Sequence, residues 1–231
     1  MASKTNEYWP DLGRPRPKVS VERYETIVWP ETTSISLPWA AKQSDVAMSS
    51  VLAARRTRRS FGPLPLESLA ALLQTADVVT EVGRTELGFP TSYRPAPSAG
   101  AIHPVHVVIS RPDLHGWYRY DPFRHALVGI VSSVDPAEVR QHVDLAVATQ
   151  QATLIMLVAE RAMTAATYEN PASLVWRDAG ILLGYLSAIA ESLGLNFCLL
   201  GATGEPWASR LVDQPGLKGV GLALAGSACL S

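Results

Sequence analysis

Residues 174–193 (LVWRDAGILLGYLSAIAESL) constrain the fold more than any other stretch. The spacing predicts a long helix, and between residues 181 and 190 that helix has almost no polar face. Such a helix must be covered on all sides, first by a core and then by a second subunit. The apolar run is far shorter than the roughly 20 residues a membrane span needs, so no membrane association is expected.

A helix of this kind needs a large core, and the composition supplies one. Of 231 residues, 47% are hydrophobic and only 18% charged, which excludes a disordered chain. Twenty Lys+Arg against 21 Asp+Glu leave a net charge of -1, without the basic excess of a general nucleic-acid binder. Two cysteines, Cys198 and Cys229, give neither a disulfide framework nor a CxxC metal site. The five histidines lack HExxH or HxH spacing, so no metal centre is expected. The opening MASKTNEYWPDLGRPRPK has no apolar stretch, and the expectation is a cytoplasmic chain without a signal peptide.

Residues 1–20 carry Pro10, Pro15 and Pro17 and read as a flexible lead-in to a single domain over 21–231. Within that domain, Trp29-Pro30 and Leu37-Pro38-Trp39 predict an extended arm over 21–46. A helix capped by Ser44-Asp45 should run into Arg55-Arg56-Thr57-Arg58-Arg59, and a leucine-rich helix should follow over 64–76. Strands are expected over 105–110, 117–121, 126–130, 153–159, 196–200 and 220–225, with short helices from Asp135 to His142 and from Trp207 to Val212. Residues 77–100 read as a long functional loop. There is no regular βαβ rhythm, which points to an α+β fold.

Two motifs carry candidate chemistry. If helical, Arg55 and Arg59 share a face and repel, and a bound phosphate would reverse that repulsion through bidentate contacts, with Thr57 adding a hydroxyl. The same cluster also reads as a solvated basic helix end. Residues 96–104 (APSAGAIHP) precede a strand. Gly100 and the small residues around it would let backbone approach a flat ligand, with successive N–H groups, Ser98 and His103 meeting its polar edge. An ordinary tight loop is the alternative reading.

Together these motifs, with Phe61 and Gly116-Trp117-Tyr118-Arg119-Tyr120-Asp121-Pro122, resemble the FMN-dependent nitroreductase superfamily, and within it the SagB-type dehydrogenases that include azoline oxidases. The likeness runs from about Tyr24 to Ala225. It implies a mostly antiparallel mixed sheet flanked by helices, the long helix at a homodimer interface, and FMN between the subunits. Arg55, Arg56, Thr57 and Arg59 would then grip the phosphate. Pro97, Ser98, Ala99, Gly100, Ala101 and His103 would run along the ring. Thr203 and Gly204, in Gly201-Ala202-Thr203-Gly204, would bring backbone N–H groups near flavin N5. Two departures are visible. Ala101 stands where many nitroreductases have Asn, as the SagB branch often does. Azoline oxidases carry a Lys-Tyr pair, and here Thr167-Tyr168 keeps only the tyrosine, the candidate catalytic residue. The implied activity is oxidation of a peptide-derived or other small natural product. A nitro- or quinone reductase and a flavin-degenerate scaffold of a biosynthetic complex are the alternatives.

Overall fold

The computed structural model describes residues 11–40, 44–149 and 151–228. Its centre is β8 (Thr153–Glu160), in which every residue is buried. The sequence TLIMLVAE has no polar alternation because the strand is covered on both faces. Ile155, Leu157 and Ala159 pack to one side, and Leu154, Met156 and Val158 to the other. Each of these fully buried Leu, Ile, Val and Met side chains contributes about 1.5–3 kcal/mol.

Around it lies a seven-stranded sheet of order β10-β11-β8-β5-β6-β7-β2. The strands are β2 (Glu31–Ser36), β5 (Val105–Ser110), β6 (Trp117–Asp121), β7 (Ala126–Ile130), β10 (Leu195–Leu200) and β11 (Leu217–Ser227). All neighbouring pairs are antiparallel, in the α+β class expected from the sequence. One face is covered by α2 (Leu66–Asp77), which buries Leu69, Leu72, Leu73 and Ala76, and by the long α5 (Ala172–Ser192). The other carries α3 (Pro136–Asp144) and a 3-10 turn at Ala208–Arg210. Asp135 caps α3 by accepting from the Ala137 N–H at 2.9 Å, with Pro136 at the first helical position.

The smaller elements correct several expectations. Residues 11–20 are not a free lead-in: β1 (Arg16–Pro17) pairs with β9 (Tyr168–Glu169), and the Lys18 N–H bonds the Thr167 carbonyl at 2.8 Å. Residues 1–10 of the expected lead-in lie outside the described residues. Part of the arm is β2, which extends the main sheet by pairing with β7. The loop over 77–100 contains a hairpin, β3 (Glu81–Val82) with β4 (Ser92–Tyr93). After β8 comes a short α4 (Arg161–Ala165). The first helix, α1 (Met48–Ala54), starts later than expected and has no side-chain cap; ahead of it the Ser44 hydroxyl donates to the Ser192 carbonyl at 2.8 Å and accepts from the Val46 N–H at 3.3 Å.

Finally, α5 is not covered on all sides by its own chain. Val175, Ala179, Leu182, Leu186 and Ala190 are buried, while Trp176, Arg177, Gly180, Gly184 and Tyr185 form an exposed stripe. A Cβ at Gly180 or Gly184 would meet nothing within 4 Å. Met48 and Leu52 of α1, which packs on α5, are also exposed.

Candidate functional site

The arginine cluster does not continue a helix. At Arg55 the backbone turns extended (φ -51, ψ 124), so residues 55–60 run past the end of α5 instead of presenting i,i+4 pairs. The Arg58 N–H bonds the Phe197 carbonyl of β10 at 3.2 Å, which pulls the segment off the helical path. The predicted Arg55–Arg59 repulsion across one helical turn is therefore absent, and the four guanidinium groups have separate roles. Arg58 makes a two-pronged ion pair with Glu191, one arm at 3.1 Å. Arg56 turns back and donates to the Ala53 and Arg55 carbonyls at 2.9 and 2.8 Å, closing the end of α1.

Arg55 and Arg59 make no ion pair among the described residues. Their surroundings still place them. The Glu191 carboxyl is held below its usual range first by its bond to Arg58, with Arg55 adding to the effect. Burial pushes the Cys198 thiol up, and nearby Arg59 opposes it. Arg55 thus lies beside the C-terminal end of α5 and Arg59 beside the middle of β10, with the exposed Thr57 between them in sequence.

Gly201 lies three residues beyond Cys198, about 10 Å along the strand direction. In the turn that follows, the Thr203 carbonyl accepts from the Gly221 N–H at 3.0 Å and the Gly204 carbonyl from the Ala208 N–H at 2.9 Å. The N–H groups of Ala202, Thr203 and Gly204 donate to no protein group among the described residues. Gly204 sits at φ +95, where a side chain is strained, and its Cβ would press on Met156 at 3.2 Å.

The third motif sits elsewhere. The Ser98 hydroxyl donates to Asp178 Oδ2 at 2.6 Å, and the Ala99 N–H to Asp178 Oδ1 at 3.2 Å. Asp178 belongs to the N-terminal half of α5 and Glu191 to its last turn, about 20 Å further along the axis. Pro97 and Gly100 are exposed, and Ser98, Ala99 and Ala101 half-buried. Gly100, Ala101 and His103 all take positive φ (64, 55 and 52), and strain held at such residues is common at ligand sites.

His103 departs from its expected role. Its Nε2 is bonded to the Ser92 carbonyl at 2.9 Å, and burial together with Arg94 pushes its pKa down to about 3. The imidazole is turned behind the loop into a cavity of about 500 Å³ shared with Trp29, His106, Arg119 and Glu160. That cavity opens where β5 and β6 part: their pairing ends at Val108↔Arg119, although β5 stays paired to β8 and β6 to β7. The fully buried Glu160 there accepts from the Ile27 N–H at 2.6 Å and contacts His106 at 3.1 Å.

Tyr168 does meet the loop. A Cβ placed on Gly100 would lie 3.3 Å from the Tyr168 hydroxyl oxygen, so glycine leaves room for the phenol. Pairing of β9 with β1 fixes that strand. Two contributors went unread in the sequence: Asp178 and Glu191 were seen as helix residues, and only their packing against distant loops shows what they hold.

The sequence matches the nitroreductase family over residues 52–217. No functionally curated protein matches it. Among solved structures, a Ralstonia eutropha JMP134 protein described as a nitroreductase superposes with TM-score 0.70 at 21% identity, covering 92% of this chain and 100% of that one. The Escherichia coli microcin synthetase McbBCD complex with truncated pro-MccB17 bound contains a similar chain (TM-score 0.57, 16% identity, 83% of this chain and 76% of that one). A Desulfovibrio desulfuricans protein described as a nitroreductase in complex with FMN follows at TM-score 0.50 and 16% identity, covering 79% of this chain and 86% of that one. At these identities the likenesses establish the fold, and the family match over most of the chain establishes the rest: this chain belongs to the nitroreductase family.

Proposed function

We propose that the protein is an FMN-dependent oxidoreductase working as a homodimer, and that its substrate is a peptide-derived or other natural product of the kind SagB-type dehydrogenases oxidise. The observation that carries the flavin reading is the meeting of Arg55 and Arg59, which make no ion pair among the described residues, with the N–H groups of Ala202, Thr203 and Gly204, unpartnered among those residues and about one cofactor length away. Guanidinium forks suit a monophosphate, and backbone donors suit the electron-rich edge of a flavin. FMN supplies hydride exchange with a carbon or nitrogen of the substrate. Arg55 and Arg59 hold its phosphate, with Thr57 adding a hydroxyl. Arg56 and Arg58 take a supporting part, since their guanidiniums are spent on α1 and on Glu191.

The loop over 97–103 lies toward the other end of α5 from the arginines, where it meets the ring end of the flavin. The exposed stripe of Gly180, Gly184 and Tyr185 packs against the second subunit, so that the flavin lies between the two chains. Tyr168, against Gly100, is the proton-handling group on the substrate side. The likeness to a chain of the microcin synthetase complex supports a natural-product substrate and partner enzymes.

A NAD(P)H-dependent nitro- or quinone reductase is the second reading, favoured by the family match itself. The experiment is an anaerobic mixing of the yellow holoprotein with either a thiazoline peptide or NADPH, following flavin bleaching. Bleaching by the thiazoline supports the dehydrogenase, and bleaching by NADPH alone supports the reductase. A protein that stays colourless after incubation with FMN refutes both.

A further inference from the structure

The donors of the loop over 97–103 can be counted. Pro97 has no N–H. The Ala99 N–H is given to Asp178, the Ala101 N–H to the Ser98 carbonyl at 3.0 Å, and the Ile102 N–H to the Ala99 carbonyl at 3.4 Å. The His103 N–H goes to Ser98 Oγ at 2.9 Å, while the same hydroxyl donates to Asp178. The loop therefore does not offer successive N–H groups to a ligand, as its sequence suggested. At its exposed tip the Gly100 N–H has no protein partner among the described residues, and the Tyr168 hydroxyl stands beside it.

Asp178 closes this arrangement. It is only 7% exposed and has no ion pair among the described residues. A carboxylate removed from water without a cation is costly unless donors satisfy it. Here one oxygen takes the Ser98 hydroxyl and the other the Ala99 N–H, across 80 and 79 positions of chain. Through Ser98 the hold extends to His103, so one helix side chain ties down both ends of a segment with three positive-φ residues.

We propose that Asp178 is a positioning residue: it locks the loop so that the Gly100 N–H, beside the Tyr168 hydroxyl, is the one donor the loop tip presents to the flavin site. This rests on the flavin reading above. The amide count supports it: of the two N–H groups without a protein partner among the described residues, Ser98 is half-buried at the base of the loop, and Gly100 is exposed at the tip beside Tyr168. Ala99 and His103 contribute shape, and Gly100 contributes contact.

The test replaces Asp178→Asn, which keeps the volume but leaves one acceptor oxygen for two donors, and independently Ser98→Ala, which cuts the link to His103. Amide hydrogen exchange is followed without FMN. FMN affinity and the visible circular dichroism of bound flavin are followed with it. In Asp178→Asn the Ala99 and His103 amides should exchange at least about tenfold faster. FMN affinity should fall by up to about tenfold, the upper end of what one neutral hydrogen bond is worth, with an altered dichroic spectrum. Ser98→Ala should speed His103 and perturb the same spectrum. Unchanged exchange in both variants overturns the proposal, and so does faster exchange with unchanged affinity and dichroism, which makes the carboxylate a brace only. A wild type that takes up no FMN refutes the flavin reading itself, whereas a yellow wild type with indifferent variants overturns this inference alone.

Discussion

Removing the arginines one at a time should separate binding from stability. Arg58 and Glu191 are 37% and 12% exposed at their side chains, joined by two contacts. A partly exposed pair of good geometry is worth about 1 kcal/mol. Arg58→Ala also leaves the Glu191 carboxylate with a single nearby cation, Arg55, so the fold should lose about 1–2 kcal/mol. FMN affinity should change less than about threefold, because the Arg58 guanidinium is already committed. Arg55→Ala and Arg59→Ala should do the reverse. Neither breaks an ion pair among the described residues, so stability should stay within about 0.5 kcal/mol. Each removes charge-assisted bonds to a phosphate worth about 1.5–3 kcal/mol, a tenfold to more than hundredfold loss of FMN affinity. Urea denaturation of the apo forms gives the first quantity and flavin fluorescence titration the second. Arg58→Ala matching Arg55→Ala in lost affinity would refute the division of labour. Unchanged affinity in both Arg55→Ala and Arg59→Ala would make the cluster a solvated basic segment.

The remaining predictions concern the interface and pH. Light scattering should give twice the chain mass at micromolar concentration, and Tyr185→Glu should halve that mass and release FMN, because the flavin is proposed to lie between the subunits. A wild-type monomer that keeps FMN would contradict the shared site. Cofactor released by heat should run on a column as FMN and not FAD, since Arg55 and Arg59 offer one monophosphate grip; FAD as the main species would sink the assignment. In the folded chain His103 has a pKa of about 3, against about 6.5 when unfolded. Between those values the unfolded state binds more protons, so stability is present above pH 6.5 and declines as pH falls, by up to about 1.4 kcal/mol per unit from this one group. His103→Gln should flatten that part of a stability–pH profile, and an unaltered slope would mean that the imidazole is not responsible.

Much of the fold was legible because it depends on local pattern. The strands Val105–Ser110, Trp117–Asp121 and Ala126–Ile130 fall at the residues the sequence indicated. Period, turn residues and β-branched content are local quantities, and they survive packing. The long helix was equally plain, although its apolar run overstated its burial: its own chain covers one side and leaves Gly180, Gly184 and Tyr185 in the open. Strand β2 was read only as an extended arm, since an edge strand of sequence ETTSIS looks like loop until a neighbour supplies its hydrogen bonds.

The candidate site shows the limit more sharply. Sequence alone named the arginine cluster, the loop over 97–103 and Tyr168, and determined which chemical groups were at hand. Tertiary structure decided which were spent. Arg58 stood outside the phosphate set that the resemblance implied, but only the fold shows what it does: Glu191, 133 positions away, takes its guanidinium. The loop's amides looked available until Asp178 and Ser98 claimed them. A donor's chemistry is a property of the residue, but its freedom depends on which distant acceptor the fold brings within about 3 Å, and no local pattern records that distance.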